Sequence, residues 1–297
     1  MTSAPLQRVD AARPLPARVL LLGARGMVGR SWAGLLTAHG VPYRALARPD
    51  FDLQDPGSVA DAIREGDELV VNAAAWTAVD DAEKDEPGAT RANAEAPGSL
   101  ARRCAEVGAR LIHYSTDYVF DGLGAAPYRV DDPIAPVNAY GRSKAAGEEA
   151  VRAASPDHLI IRTSWVYAPW GTNFVRTIAK LAAGRESLRV VDDQRGRPTS
   201  AEQLSVTSLA LYLAGACGTW HATDGGECTW HGLATEIVAR LGLPCRVDPC
   251  TSAEFPRPAT RPAMSTLDVS ETERLVGPLV PWPVALGRVL CRLDLTA

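Results

Sequence analysis

Lysine is almost missing from this chain: Lys84, Lys144 and Lys180 are the only ones among 31 basic residues. Acidic residues number 35, for a formal net charge of −4. A chain with that balance lacks the basic field that gathers nucleic acid, and no such partner is expected. Long apolar runs are missing too. None approaches the roughly 20 residues of a membrane span, so no membrane partner is expected. The one early apolar run, Val19–Leu22, is too short for the core of a secretory signal and leads straight into a glycine loop. A cytoplasmic location is the expectation. None of the six cysteines forms a C-x-x-C pair, which argues against a redox pair, and scattered cysteines in a cytosolic protein usually stay reduced. Cys217, His221, Cys228 and His231 are close enough to be weighed as a zinc site. Thr219–Ala222 reads as a strand, however, and a helix begins near His231, without the spacing of a finger; no metal is expected. Repeats and low-complexity tracts are absent. The 297 residues suffice for one large domain, or for one domain and a smaller appendage.

What is present is an alternation. Residues 1–17 hold small and polar residues with no period and read as a loose tail. Arg18–Gly23 is a continuous apolar run ending on glycine, as in a strand buried on both faces. Further strands are expected at Tyr43–Ala47, Leu69–Ala73, Leu111–Ser115, Leu159–Thr163 and Leu188–Val191. Helices are expected between them at Met27–His39, Ser58–Glu65, Ala89–Val107, Ala139–Ala154 and Asn173–Ala183. That alternation predicts an α/β fold with a Rossmann-type doubly wound parallel sheet through about residue 190, its ligands held at the C-terminal strand ends. Residues 18–164 are taken as the dinucleotide-binding domain. Residues 165–297, rich in proline after Pro244, are taken mainly as a smaller substrate-binding region with some returning Rossmann elements. Short helices are expected there at Glu202–Ala214, Gly232–Leu241 and Val284–Leu293.

Gly23, Gly26 and Gly29 form G-x-x-G-x-x-G between the first strand and the first helix. Glycine there permits a tight turn and close approach of backbone to a pyrophosphate, and the helix start offers free N–H groups. An acid at the tip of the second strand would bind a ribose 2′-hydroxyl, but the stretch is Ala45-Leu-Ala-Arg48-Pro49. Arg48, with Arg25 near it, suits a 2′-phosphate. NADPH is therefore the expected cofactor, preferred over NADH rather than excluding it. The plain alternative for both arginines is a solvated surface role. Asp52 and Leu53 follow and are placed at the adenine.

Tyr140-Gly-Arg-Ser-Lys144 is Y-x-x-x-K at the head of a helix, and the spacing puts both side chains on one face. An ammonium beside a phenol makes its proton easier to give up, which suits reduction of a carbonyl. Thr116 ends an apolar strand, where its hydroxyl can bond the same carbonyl oxygen. A strand-end hydroxyl bonded to backbone is the plain alternative. His113 and His231 read as packing or hydrogen-bonding residues, and Asp80–Glu86 as a solvated helix start.

Longer strings add a resemblance. Val71–Asp80, His113–Phe120, Arg162–Tyr167, Asn173-Phe174, Asp193–Thr199, Thr229–His231 and Arg261-Pro262 are similar to those of the dTDP-4-dehydrorhamnose reductase family of extended short-chain dehydrogenase/reductases. The similarity runs over nearly the whole chain after residue 17. It implies Tyr140, Lys144 and Thr116 as the catalytic set, and Gly26, Met27, Val28, Ala75, Trp76 and Thr77 against the cofactor. It places Thr116, Asp117 and Trp165 against a deoxysugar nucleotide, and Asn173 is counted with them. It implies reduction of the 4-keto group of a dTDP-6-deoxy-L-hexose, in a monomer or homodimer. Related readings are a deoxysugar synthase or ketoreductase of an antibiotic pathway (dihydrostreptose type), an epimerase that recycles its hydride, and a non-catalytic NADP-binding regulatory homologue. Two departures stand out. Some family members bridge two subunits through a magnesium ion held by acids. Here Arg30 and Ser31 stand where one such acid would follow the glycine loop, and only Glu202 matches another. Position 76 is tryptophan where the family often has histidine.

Overall fold

Val19–Leu22 (β1) carries apolar side chains on both faces, and the fold buries both completely. The computed structural model describes residues 12–293. After β1 come α1 (Met27–Ala38), β2 (Tyr43–Leu46), α2 (Pro56–Ala62), β3 (Leu69–Asn72), α3 (Val79–Ala82), α4 (Glu86–Thr90), α5 (Ala96–Val107), β4 (Arg110–Thr116), α6 (Ala139–Ala154) and β5 (His158–Thr163). Then follow β6 (Val166–Tyr167), α7 (Phe174–Ala183), β7 (Ser187–Val191), β8 (Arg195–Gly196), β9 (Thr199–Ser200), α8 (Ala201–Leu213) and β10 (Gly218–His221). The chain ends with β11 (Cys228–Thr229), α9 (Trp230–Arg240), β12 (Arg246–Cys250), α10 (Ser270–Val276) and α11 (Trp282–Leu290).

The central sheet has the order β10-β5-β4-β3-β1-β2, all parallel. Val19 and Leu21 pack with Trp32 and Leu36 of α1 and with Leu204 and Leu211 of α8. Leu20 and Leu22 face the other way, against α2 and α5. Burial of each such side chain is worth roughly 1.5–3 kcal/mol, which is why the run cannot leave the middle of the sheet. A third apolar cluster joins α7, α9, α11 and β7 through Val175, Ile178, Leu188, Leu233, Ile237 and Leu286.

Two expectations are corrected. Leu188–Val191 does form a strand, but β7 pairs with β12 in a separate parallel ribbon, and β10 supplies the sixth strand of the main sheet. The reason is visible in the pattern: Ser187 and Arg189 are exposed while Leu188 and Val190 are buried, so β7 has only one apolar face. The helix expected over Ala89–Val107 is interrupted by a π-turn at Arg91–Glu95, ahead of Pro97 in the first turn of α5. Of the expected tail, residues 1–11 lie outside the described residues. Arg13 donates its N–H to the Leu213 carbonyl at the end of α8, and Ala17 donates to Glu68 just before β3, so residues 12–17 are tied to the domain.

Glycine sets the spacing between α6 and the π-turn. A Cβ on Gly147 would collide with the Asn93 carbonyl, whereas one on Gly34 of α1 meets nothing within 4 Å. Gly147→Ala is therefore expected to cost about 1–3 kcal/mol through overpacking. Gly34→Ala is expected to gain about 0.5–1 kcal/mol through helix propensity. Chemical denaturation of both variants checks the pair; equal midpoints would contradict the reading.

Candidate active site

The sheet order reverses between β1 and β3, and the loops that leave these two strands touch. Gly23 has φ +76, and a Cβ on it would collide with the Ala73–Ala74 peptide. A Cβ on Gly29 would collide with the Gly23 carbonyl, so α1 lies directly on the end of β1. The N-cap of α1 is Gly26, with no capping side chain and no acid in the first turn. The N–H groups at Met27 and Val28 therefore have no helical acceptor and face outward as donors. Above them opens a cleft of about 550 Å³, at the topological switch point where such sheets hold nucleotides. Gly23, Gly26, Met27, Val28, Arg48, Asp52, Leu53, Ala75, Trp76, Thr77, Tyr140 and Lys144 line it. Gly29 lies beneath the loop rather than on the wall. A bare glycine turn with unpaired donors fits a pyrophosphate.

α6 brings the reactive side chains to the other wall. Asn138 caps it, accepting from the Gly141 N–H at 2.7 Å, and donates to the Thr260 carbonyl at 2.8 Å. A Cβ on Gly141 would strike the Tyr118 carbonyl, so the helix start presses on the turn after β4. One turn on, the buried Lys144 ammonium donates to the Tyr114 carbonyl at 2.5 Å. A further turn on, buried Glu148 accepts from Ser115 at 2.6 Å and from both Nε and Nη2 of Arg162 at 2.8 Å. Arg162, next to last in β5, also donates to the Val130 carbonyl at 2.9 Å. Helix, β4 and β5 are thus tied at one height.

Burial lowers Lys144 to about 8, with Glu148 opposing, so the ammonium is still mostly charged near neutrality. Burial raises Tyr140 to about 12, and a hydrogen bond with Thr116 works against that. Here an expectation is corrected. Lys144 is not among the groups that lower the phenol, since its ammonium bonds the β4 carbonyl; the Thr116 hydrogen bond works toward the phenolate. The Thr116 hydroxyl in turn donates to Asp117 at 2.9 Å and accepts from the Tyr118 N–H at 3.2 Å. Asp117 is pushed up to about 7 by burial, against hydrogen bonds from Ser265 and Thr116, and its second oxygen is buried without a partner. Tyr140, Thr116 and Asp117 form a line of hydrogen-bonding groups leading inward from the cleft.

The remaining candidates stand apart. Thr116, Asp117, Trp165 and Asn173 do not line the cleft itself. Trp165 has φ +47 and stacks on Trp230 with ring centroids 3.6 Å apart, against Gly196, where a Cβ would strike the indole. Asn173 is buried as the cap of α7: it accepts from the Arg176 N–H and donates to the Ala168 carbonyl at 2.9 Å. Arg30 lies over the Trp170 ring at 4.6 Å, and Glu202 is paired with Arg292. With Glu202 held by Arg292, and Arg30 and Arg292 both over the Trp170 ring, these residues do not fit a bridging magnesium ion. His221 bonds the Asp268 carbonyl and His231 the Val247 carbonyl. Among the described residues, no three His, Cys, Asp or Glu side chains gather as metal ligands.

Comparison with known proteins agrees with this geometry. Residues 17–295 match the family model described as RmlD substrate binding domain. The chain belongs to the RmlD family. It is 44% identical over 278 residues to a dTDP-4-dehydrorhamnose reductase of Streptomyces griseus, covering 91% of both chains. Among solved structures it is similar to the dTDP-4-dehydrorhamnose reductase of Clostridium acetobutylicum, with TM-score 0.88, 36% identity, and 92% and 98% of the two chains covered. It is also similar to that of Bacillus anthracis in complex with NADP, with TM-score 0.89, 32% identity, and 93% and 99% covered.

Several residues of this RmlD-family site escaped the sequence reading. Asn93, on the π-turn, accepts from the Trp76 N–H at 2.9 Å and donates to the Trp76 carbonyl and to Ser143 at 3.0 Å. It fixes the cleft-wall loop to α6, and nothing in its local sequence marks it. Phe51, Gln54, Thr163 and Thr172 also line the cleft. Glu148 and Arg162 had a signal. Glu148 extends the Tyr140–Lys144 face by i+4, and an arginine at the end of an apolar strand requires a buried acid. Glu148→Gln is expected to destabilise the protein by about 3–5 kcal/mol, since it leaves the Arg162 charge buried and uncompensated. The exposed Glu86–Arg142 pair, removed by Glu86→Gln, should cost under about 1 kcal/mol. Similar unfolding midpoints for the two variants would refute this ranking.

Proposed function

We propose that this protein is an NADPH-dependent reductase of the 4-keto group of a dTDP-linked 6-deoxyhexose, converting dTDP-4-dehydro-L-rhamnose to dTDP-L-rhamnose in the cytoplasm. NADH serves as a weaker cofactor. The observation that carries the reading is the meeting of Tyr140 and Lys144, across one cleft, with an uncapped helix start behind a bare glycine turn. Family membership and the relatives' names support the choice of substrate. The first turn of α1 holds the pyrophosphate by backbone N–H groups, and Arg48, with Arg25, meets the 2′-phosphate.

The dinucleotide supplies hydride when bound. The chain does the rest. Tyr140 donates its phenolic proton to the carbonyl oxygen as that oxygen becomes a hydroxyl. Thr116, its one hydroxyl proton turned from Asp117, donates a hydrogen bond to the phenolate left behind, and Lys144 offers its ammonium to the nicotinamide ribose, as the family resemblance implies. Asp117 and the Trp165–Trp230 stack form the sugar side, where Asn173 acts through the loop it caps. Residues from β6 onward make most of that side, while β10 joins the main sheet and α8 packs on it.

The direct test is NADPH oxidation with dTDP-4-dehydro-L-rhamnose, followed by NMR of the product. Cofactor binding without turnover would favour the regulatory reading, and sugar conversion without NADPH loss an epimerase. Tyr140→Phe is expected to lose about 10²–10⁴ in kcat with cofactor affinity nearly unchanged. A folded variant with near-normal kcat removes Tyr140 from the chemistry. Lys144 is lowered to about 8. Its charge is therefore present below that pH and lost as pH rises through it. Cofactor affinity should weaken over the same interval, and Lys144→Met should bind weakly with that pH step gone. Persistence of the same step in the variant would assign it to another group.

A further inference from the structure

At the tip of β2 the structure holds a charge arrangement that cofactor preference alone does not require. Arg48 is not free. Its Nε lies 3.1 Å from Asp52 Oδ2 and its Nη2 donates to Asp52 Oδ1 at 3.3 Å. The carboxylate is held from its own side as well, since Oδ1 accepts from the Gln54 N–H at 3.0 Å while the Asp52 N–H donates to Ser58 at 3.0 Å. Arg25 Nη1 donates to the Arg48 carbonyl at 2.8 Å, fixing the backbone beneath the pair. Both partners line the nucleotide cleft.

We propose that Asp52 is a specificity-determining residue that sets the NADPH-to-NADH ratio through Arg48. The proposal rests on the reductase reading above. The guanidinium is already paired with a carboxylate that its loop keeps in place. A 2′-phosphate has to share Arg48 with Asp52 and sits close to a like charge, which costs part of its attraction. A ribose 2′-hydroxyl meets no such opposition and can donate to the same carboxylate. One acid thus weakens the hold on NADPH and strengthens that on NADH, and the arginine converts this into a preference short of exclusion.

The test is a double-mutant cycle read by cofactor binding, without the sugar. Dissociation constants for NADPH and NADH are measured by fluorescence for the wild type, Asp52→Asn, Arg48→Ala and the double variant. Any contact Asp52 makes with the adenine is common to both cofactors and divides out of the ratio. Asp52→Asn should raise the preference for NADPH about three- to tenfold. That gain should shrink as salt is raised and should be small in the Arg48→Ala background. An unchanged or lowered ratio overturns the proposal. So does an equal rise with and without Arg48, which would show Asp52 acting alone. Asp52→Ser, which keeps a small polar group, is the second variant should Asp52→Asn fail to fold. A wild type that binds both cofactors but reduces no nucleotide sugar would sink the reductase reading and leave the ratio to judge Asp52.

Discussion

The buried ion pair between Glu148 and Arg162 is the constraint on which the site depends. Two charges with almost no exposure are taken out of water together, and neither can be left without the other. Glu148 is on α6 and Arg162 next to last in β5, with Ser115 of β4 bonded to the same carboxylate. The pair therefore fixes how far along the sheet α6 may slide. A shift of one turn, about 5.4 Å, would strand the Arg162 charge and leave Glu148 only Arg152 of its own helix. Lys144 and Tyr140 stand one and two turns nearer the helix start. Their height above the strand ends is inherited from a contact that itself touches no ligand.

The second constraint is close approach. Side chains of any size are excluded where elements of the site cross: Gly23 against the Ala73–Ala74 peptide, Gly29 against Gly23, Gly141 against Tyr118 and Gly147 against Asn93. Each crossing brings main chain against main chain, and the cleft is the space left between them. Asn93 then uses both ends of its amide to hold the Trp76 backbone, and bonds Ser143 of α6 as well. The π-turn matters here because its extra residue swings Asn93 out of helical register toward that loop.

These forces explain which features the sequence revealed. β1, β3 and β5 were legible because burial on both faces leaves an apolar run through the middle of each, with polar residues only at the ends. The glycine loop and Tyr140-x-x-x-Lys144 were legible because they act over a few residues. β7 was found as a strand but misplaced, since a one-faced strand satisfies a small ribbon as well as a sheet, and only its exposed Arg189 tells the difference. The π-turn was missed, although Pro97-Gly98 interrupts the helical composition of Ala89–Val107, because its bulge serves a partner 17 residues away. The acidity of Tyr140 was assigned to Lys144 from spacing, yet the ammonium follows a carbonyl that no side-chain pattern records. Trp165 was marked by a motif, but its stack on Trp230 spans 65 positions.

The sugar side of the site is built from longer connections, and they reach the chemistry itself. Residues 259–265 are tied to the catalytic wall at several points. Asn138, the cap of α6, donates to the Thr260 carbonyl, Arg261 pairs with Asp80 at 3.0 Å, and Ser265 lies beside Asp117. A substrate that displaces this segment must act on the helix start that carries Tyr140 and on the carboxyl behind Thr116. Burial holds that carboxyl near 7, where a modest change in its surroundings alters its proton. Under the proposed function, contacts made far from the carbonyl can then tune the alignment of the proton donor. Binding energy gathered on the sugar nucleotide would appear in the rate of reduction as well as in affinity.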